Sequence, residues 1–259
     1  MPIPTRRSFD SVDPRWRVLL TDDGSPTLVQ SATAEAMHSG CGAVAETRHV
    51  YLQMSGVAER LARGLATQVL EVGFGTGLGW LMTAEAALAV GAELRYVGLE
   101  NRLPPAAVIR QLGWERHVQH PDLVGRHLDW LETLDPQSPR RLRIDRATLE
   151  IISADACQWC PEAGRAARSG PGSSRFDAVY FDPFSPELSP QLWQPEVFGG
   201  LRQLLRPGGT LVSYCVSRPV RDALTASGFL VHKVAGPPGG KREVLRAVTP
   251  TNDAGESTG

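Results

Sequence analysis

The chain has 259 residues, 27 basic against 28 acidic side chains, and a formal net charge of −1. An apolar content of 42% is enough for a full hydrophobic core, which excludes wholesale disorder, and the length suits one α/β domain with an extension rather than two enzymes. Balanced charge argues against a protein that coats nucleic acid. Four cysteines make no disulfide framework in a chain of this size, and the opening Met-Pro-Ile-Pro-Thr-Arg-Arg-Ser has no apolar signal stretch. No run of ~18 apolar residues suggests a membrane span, so a reducing cytoplasm is the expected location.

Residues 1–66 read as an extension packed on the core. Arg15 to Thr21 and Thr27 to Gln30 flank the turn-forming Asp22-Asp-Gly-Ser-Pro and predict a hairpin. Thr47 to Arg63 spaces Val50, Met54, Val57 and Leu61 at three to four residues, an amphipathic helix. Residues 67–249 alternate strands and helices. The strands are expected at Gln68–Gly73, Leu94–Glu100, Thr148–Ser153, Arg175–Asp182, Thr210–Cys215, Phe229–Val234 and Glu243–Val248. Helices are expected at Gly77–Val90, from Pro104, near 190–205, and at Pro219–Ser227. Residues 113–139 look irregular apart from a short helix, Arg141–Ile144 pairs with the strand after it, and a Gly/Ser/Pro loop covers 169–174. Residues 250–259 read as a disordered tail.

Such alternation predicts a mainly parallel sheet covered on both faces. The glycine-proline turn Gly236-Pro-Pro-Gly-Gly240 makes the last two strands antiparallel. A parallel sheet closed by a C-terminal antiparallel hairpin is the layout of the Rossmann-like class I methyltransferases.

Glu71-Val-Gly73-Phe-Gly75-Thr-Gly77 lies between the first strand of the alternation and its helix, where open α/β sheets bind ligands. The third glycine falls one residue early for the dinucleotide fingerprint, and no Gly-Lys-Ser/Thr follows for a P-loop. An acid two residues before the first glycine suits a ligand with a cationic amino-acid head, which points to S-adenosylmethionine; a plain tight turn is the bland alternative. Glu100 ends the next strand, where a carboxylate can accept ribose hydroxyls. Asp155 ends the one after, on the adenine side. Each alone is equally a helix N-cap. With Thr76, Asn101 and Ala156 they complete the expected cofactor set.

Phe181-Asp182-Pro183-Phe184-Ser185-Pro186 ends the strand opposite the sulfonium. Methylating an amine requires an aligned, unprotonated nitrogen and a group that holds its developing charge. A carboxylate with exposed backbone carbonyls does this, and an aromatic ring stacks on a base, so Asp182, Pro183 and Phe184 are the expected catalytic residues. A strand-ending turn with a buried Phe is the alternative.

The whole pattern resembles the MnmC-type (DUF752-type) tRNA 5-methylaminomethyl-2-thiouridine methyltransferases over roughly residues 35 to 248. The resemblance rests on Glu46-Thr-Arg-His-Val-Tyr-Leu, Gly73-Phe-Gly75-Thr-Gly77-Leu, Leu99-Glu100, and Asp177-Ala-Val-Tyr-Phe-Asp182-Pro-Phe-Ser-Pro186 with Trp193. Arg206-Pro-Gly-Gly-Thr-Leu-Val and Gly240-Lys-Arg-Glu-Val-Leu complete it. Family members often carry Asp-Gly-Phe-Ala-Pro at 182–186, Asn at Gly79 and Lys at Asn101. The resemblance implies methyl transfer from S-adenosylmethionine to the aminomethyl nitrogen of a wobble uridine in tRNA. It also implies a stand-alone form without FAD or metal, with a separate enzyme supplying the aminomethyl group. Phe184, Pro186, Lys241 and Arg242 are expected on the acceptor side. A methyltransferase of a small amine and a non-catalytic Rossmann-fold interaction protein are the alternatives.

Four further groups stand outside this pattern or at its edge. Cys157-Gln-Trp-Cys160, at a helix start that would stabilise a thiolate, is read as flanking the adenine slot rather than as a redox or metal pair. His117, His120 and His127 are expected at the surface. Arg140, Arg141, Arg143 and Arg146 are either a solvated face or a contact to phosphates. His38, Ser39 and Glu46 could close over the cofactor, or Ser39 could simply cap a helix.

Overall fold

The computed structural model describes residues 6–134, 140–169 and 175–251. The expected loop over 170–174 and the tail from residue 252 onward lie outside the described residues, as do 135–139.

The expected N-terminal hairpin is part of a three-stranded antiparallel sheet: β1 (Ser8–Asp10), β2 (Trp16–Leu20) and β3 (Pro26–Gln30). Its turn also starts the next helix. Ser25 Oγ accepts the backbone N–H groups of Ala43 at 3.0 Å and Val44 at 3.1 Å, and Asp23 Oδ2 accepts that of Ala45 at 2.9 Å. These side chains, distant in sequence, satisfy the orphan donors of α1 (Ala43–Glu46), so Ser39 does not cap it.

The single helix expected over 47–63 is not what forms. α1 runs into a π-helical segment, Thr47–Gln53, and the chain breaks at Gly56, whose φ of +82° suits glycine, before α2 (Val57–Ala62). Wider winding and a left-handed residue leave the apolar spacing readable while changing which residues share a face.

The main sheet has eight strands in the order β10-β11-β9-β8-β4-β5-β7-β6. They are β4 (Thr67–Val72), β5 (Leu94–Leu99), β6 (Arg141–Ile144), β7 (Ala147–Ile152), β8 (Phe176–Phe181), β9 (Leu205–Ser213), β10 (Leu230–Ala235) and β11 (Glu243–Val248). β7, β5, β4, β8 and β9 are parallel, and both edges are antiparallel. This is the expected class I topology. α3 (Leu78–Ala89), α4 (Ala106–Arg110) and α5 (Pro121–Glu132) cover one face. α6 (Ala156–Ser169), α7 (Pro195–Leu204) and α8 (Arg218–Ala226) cover the other. Trp16, Val18 and Leu28 of the extension belong to the same apolar cluster as Val69, Trp80 and Tyr96, so the extension and this face of the sheet share a core.

Two expectations change here. α4 starts at Ala106, after both prolines, instead of at Pro104. The stretch expected to be irregular contains a 3-10 turn at Trp114–Arg116 and the three-turn α5, whose Leu123, Val124, Leu128 and Leu131 form a buried stripe.

At the N-terminal end of β8, Asp177 ties the sheet to its surroundings. Its Oδ1 lies 2.8 Å from both the Arg60 and the Arg206 guanidinium, and Oδ2 accepts Gln68 N–H at 2.7 Å. The carboxylate side chain is only 2% exposed. Removing it leaves two arginines facing one another across a half-buried gap. We expect Asp177→Ala to lower unfolding free energy by about 3 kcal/mol in urea titration, with the cofactor cleft at the opposite strand ends unaffected.

Candidate active site

β4, β5 and β8 end at the same edge of the sheet and open on a cleft of about 420 Å³. Its floor is the glycine loop. Gly73, Gly75 and Gly77 all have positive φ, at +86°, +55° and +79°. At Gly73 glycine is required twice over, because a Cβ there would lie 2.5 Å from the Asp182 carbonyl oxygen. The loop can therefore press against the end of β8, which brings Glu71 and Asp182 to one cleft.

Of the residues expected to hold cofactor, Glu71, Gly73, Gly75, Thr76, Glu100, Asn101, Asp155 and Ala156 line this cleft. Gly77 does not; a Cβ there would meet His127 Nε2 at 2.8 Å and the Phe74 ring at 3.0 Å. On the acceptor side Asp182, Pro183, Phe184 and Lys241 line the cleft, whereas Pro186 and Arg242 are not among its walls.

The acids differ in how they are held. Glu71 is buried and accepts Tyr96 O–H at 2.8 Å; burial outweighs this bond and pushes its pKa up to about 8. Glu100 is half-buried. It accepts Gly75 N–H at 3.0 Å and Arg102 N–H at 2.9 Å, and its pKa is raised by desolvation. Asp155 is exposed and accepts Cys157 N–H at 2.8 Å, so it caps α6 while also facing the cleft. Asp182 takes a hydrogen bond from Tyr51 O–H. Although half-buried by exposure, it is enclosed by protein, and desolvation together with the Glu46 charge raises its pKa well above the carboxylate range.

The Asp182 loop is clamped from behind. Tyr214 O–H donates to Pro183 O at 2.9 Å and Trp193 Nε1–H donates to Phe184 O at 3.1 Å. The carbonyls of Pro183 and Phe184, expected to be free for an acceptor amine, are thus already used internally, while Asp182 itself lines the cleft.

The extension supplies the remaining wall. Glu35, Met37, His38, Ser39, Glu46 and Tyr51 line the cleft. Glu46 is buried and Oε2 accepts Ser39 N–H at 2.6 Å; its pKa is raised by burial. His38 shares a 2.8 Å hydrogen bond with Thr27 Oγ1, and burial lowers its pKa to about 4. Glu35, Met37, Tyr51 and Tyr214 escaped sequence reasoning as site residues. The one available signal was Tyr51, five positions after Glu46 in the same motif.

One of the three histidines expected at the surface is not there. His127 is wholly buried, with no hydrogen-bond partner on either ring nitrogen among the described residues; its pKa falls to about 3. It packs as a neutral ring against Phe74 and Trp130. His120 is exposed and His117 half-buried. The cysteine pair is not activated: burial pushes Cys157 up to about 11 and raises Cys160 further, and neither lines the cleft. Arg141 pairs with Glu150 at 3.0 Å and Arg143 donates to Asp145 O at 3.1 Å, so these two are engaged along the edge strand. Among the described residues there is no group of three metal-ligating side chains, and no helix is long and apolar enough to cross a membrane.

A profile described as S-adenosyl-L-methionine-dependent methyltransferase matches residues 126–250. The tRNA 5-methylaminomethyl-2-thiouridine biosynthesis bifunctional protein MnmC of Thiobacillus denitrificans is 31% identical over 236 residues, 87% of this chain and 35% of that protein. The protein of the same name from Chromohalobacter salexigens is 32% identical over 94% of this chain and 34% of its own length. In structure, MnmC2 from Aquifex aeolicus superposes with a TM-score of 0.67 at 22% identity, covering 95% of this chain and 72% of that one. Residues 126–250 thus match the S-adenosyl-L-methionine-dependent methyltransferase family. The chain spans about a third of the length of the curated MnmC relatives it matches. Spermidine synthase from Thermotoga maritima shares the fold, with a TM-score of 0.54 over 95% of this chain at 13% identity.

The cleft fits an S-adenosylmethionine-sized cation. Gly73 and Gly75 approach without a Cβ, buried Glu71 lacks a cationic partner among the described contacts, and Thr76, which lines the cleft, has a buried Oγ1 with no hydrogen-bond partner among the described residues. Because Gly73 needs both a positive φ and a bare Cα, Gly73→Ala should lower stability by about 2 kcal/mol and S-adenosylmethionine affinity by at least ~10-fold, read by thermal unfolding and calorimetry.

Proposed function

We propose that this chain methylates the aminomethyl nitrogen of a modified wobble uridine in tRNA, converting 5-aminomethyl-2-thiouridine to 5-methylaminomethyl-2-thiouridine. The relatives' names supply the substrate class. The observation that carries the reading is Asp182. Its loop carbonyls are tied to Tyr214 and Trp193, and Asp182 lines the cleft beside the glycine loop with Tyr51 O–H donated to its carboxylate.

In this reading Glu71, Thr76, Gly73 and Gly75 hold the methionine part of the cofactor while Gly77 shapes the loop behind them, Glu100 and Asn101 hold the ribose, and Asp155 with Ala156 the adenine side. When bound, S-adenosylmethionine supplies a methyl group on positively charged sulfur. Asp182 accepts an N–H of the acceptor amine and orients its lone pair, Phe184 stacks on the base with Pro186 beside it, and Lys241 with Arg242 meets RNA phosphate at the rim. The balanced overall charge makes that RNA contact local, with a modest salt dependence. Work on tRNA implies a cytoplasmic protein, supplied by a separate enzyme that makes the aminomethyl group.

Incubation of the purified chain with labelled S-adenosylmethionine and tRNA carrying 5-aminomethyl-2-thiouridine should, on nucleoside mass analysis, add one methyl to that nucleoside alone. Label going instead to a small amine, or nowhere, overturns the assignment. Asp182→Ala should reduce turnover by at least ~100-fold with cofactor affinity kept; unchanged turnover rejects the role given to Asp182.

A further inference from the structure

Two side chains of the acceptor end come from the extension rather than from the sheet. Glu46 ends α1, and Tyr51 follows five residues later in the π-helical segment. One π-helical turn takes in more residues than an α-helical turn, so both can be presented to the same cleft, and both line it. Tyr51 O–H donates to Asp182. Glu46 commits Oε2 to Ser39 N–H, which leaves Oε1 for the cleft.

We propose that Glu46 is a second catalytic carboxylate of this site, pairing with Asp182 to receive the acceptor as a primary ammonium group and acting as the base that takes the proton it must lose. The inference rests on the aminomethyl reading above and specifies how that site chooses its acceptor. Two carboxylates that line one desolvated cleft and repel each other, as the Glu46 charge does Asp182, resist joint ionisation unless a cation joins them. Glu35 lines the same cleft but its carboxylate oxygens accept Ser185 N–H and O–H, and Glu71 is held by Tyr96, which leaves Glu46 and Asp182 as the acids coupled to one another at the acceptor end. Among the described residues Lys241 is the one lysine at the cleft; its Nζ stands 4.1 Å from the centroid of the Tyr214 ring, and its single charge acts on both Glu46 and Asp182, which leaves two acids to one cation. Tyr51 and Tyr214, the other titratable groups at this end, stay protonated because burial raises them both. An alkyl ammonium provides the missing charge; a hydroxyl of the same size does not.

The step balances. The bound R–CH2–NH3+ gives one proton to the Glu46 carboxylate, which becomes a carboxylic acid, and leaves R–CH2–NH2. The freed nitrogen lone pair forms the N–C bond to the methyl carbon as the C–S bond breaks, its electron pair going to sulfur. The product is R–CH2–NH2+–CH3 beside a neutral thioether.

The test separates recognition from turnover. The full chain, loaded with S-adenosylhomocysteine, is titrated with 5-aminomethyluridine and with 5-hydroxymethyluridine, which differ in charge and little in shape. Wild type should bind the amine at least ~10-fold more tightly, and Glu46→Gln should bring the two within about 2-fold. S-adenosylhomocysteine affinity and thermal midpoint serve as the folding control and should not move. Should Glu46→Gln unfold the chain, Glu46→Asp is the second variant, expected to keep part of the preference. A preference that survives in Glu46→Gln, or a wild type that prefers neither nucleoside or binds neither, overturns the proposal. Preference for the amine nucleoside in a protein that leaves tRNA unmethylated would sink the tRNA assignment and leave Glu46 in place.

Discussion

The constraint on which the rest depends is the desolvation of carboxylates at the carboxyl ends of β4, β5 and β8. A parallel sheet brings those ends to one edge, and the chain places Glu71, Glu100 and Asp182 there. Burial then does to these acids what water would prevent. Their pKa values rise, Glu71 to about 8, so each costs free energy as an anion until a cation arrives. A cleft of this kind is built for positive ligands, and a sulfonium-bearing amino acid and an alkyl amine are both such ligands.

Other features serve that arrangement. Tyr96 steadies Glu71 and Tyr51 steadies Asp182 through hydroxyl donors, which orient a carboxylate without supplying the neutralising charge. Phe74 swings off the glycine loop into the space that Gly98 leaves on β5, where a Cβ would lie 2.3 Å from the ring. His127, neutral because it is buried, packs against Phe74, and Gly77 leaves room for its ring. The loop is held from below by apolar packing, so its upper surface stays free for ligand.

The strands, the glycine loop and the acids that follow them were legible because each is local: a short apolar run, a turn chemistry, a residue at a strand end. The C-terminal hairpin was legible from its glycine-proline turn. What escaped depends on contacts between distant segments. The spacing of Val50, Met54 and Val57 reads as one helix, and nothing local marks the π-helical winding or the break at Gly56. Ser25 and Asp23 cap a helix 18 to 22 residues later, a bond no motif announces. α5 is hidden by its polar face and by the His120-Pro121 start. The acceptor wall formed by Glu35, Met37 and Tyr51 exists only once the extension folds over the sheet. His127 looked like one of three surface histidines because its neighbours in sequence are charged, whereas its neighbours in space are aromatic.

The central claim is that the cleft holds protonated acids that a cationic cofactor must deprotonate. Glu71, with a pKa near 8 in the free protein, carries its proton at pH 7; a bound α-ammonium favours the carboxylate, so that proton is released on binding. Titration calorimetry of S-adenosylmethionine at pH 7, in two buffers of different ionisation enthalpy, counts it directly. The account predicts release of about one proton per ligand bound, lost in Glu71→Gln. Binding without proton release, or release that Glu71→Gln leaves intact, would contradict it.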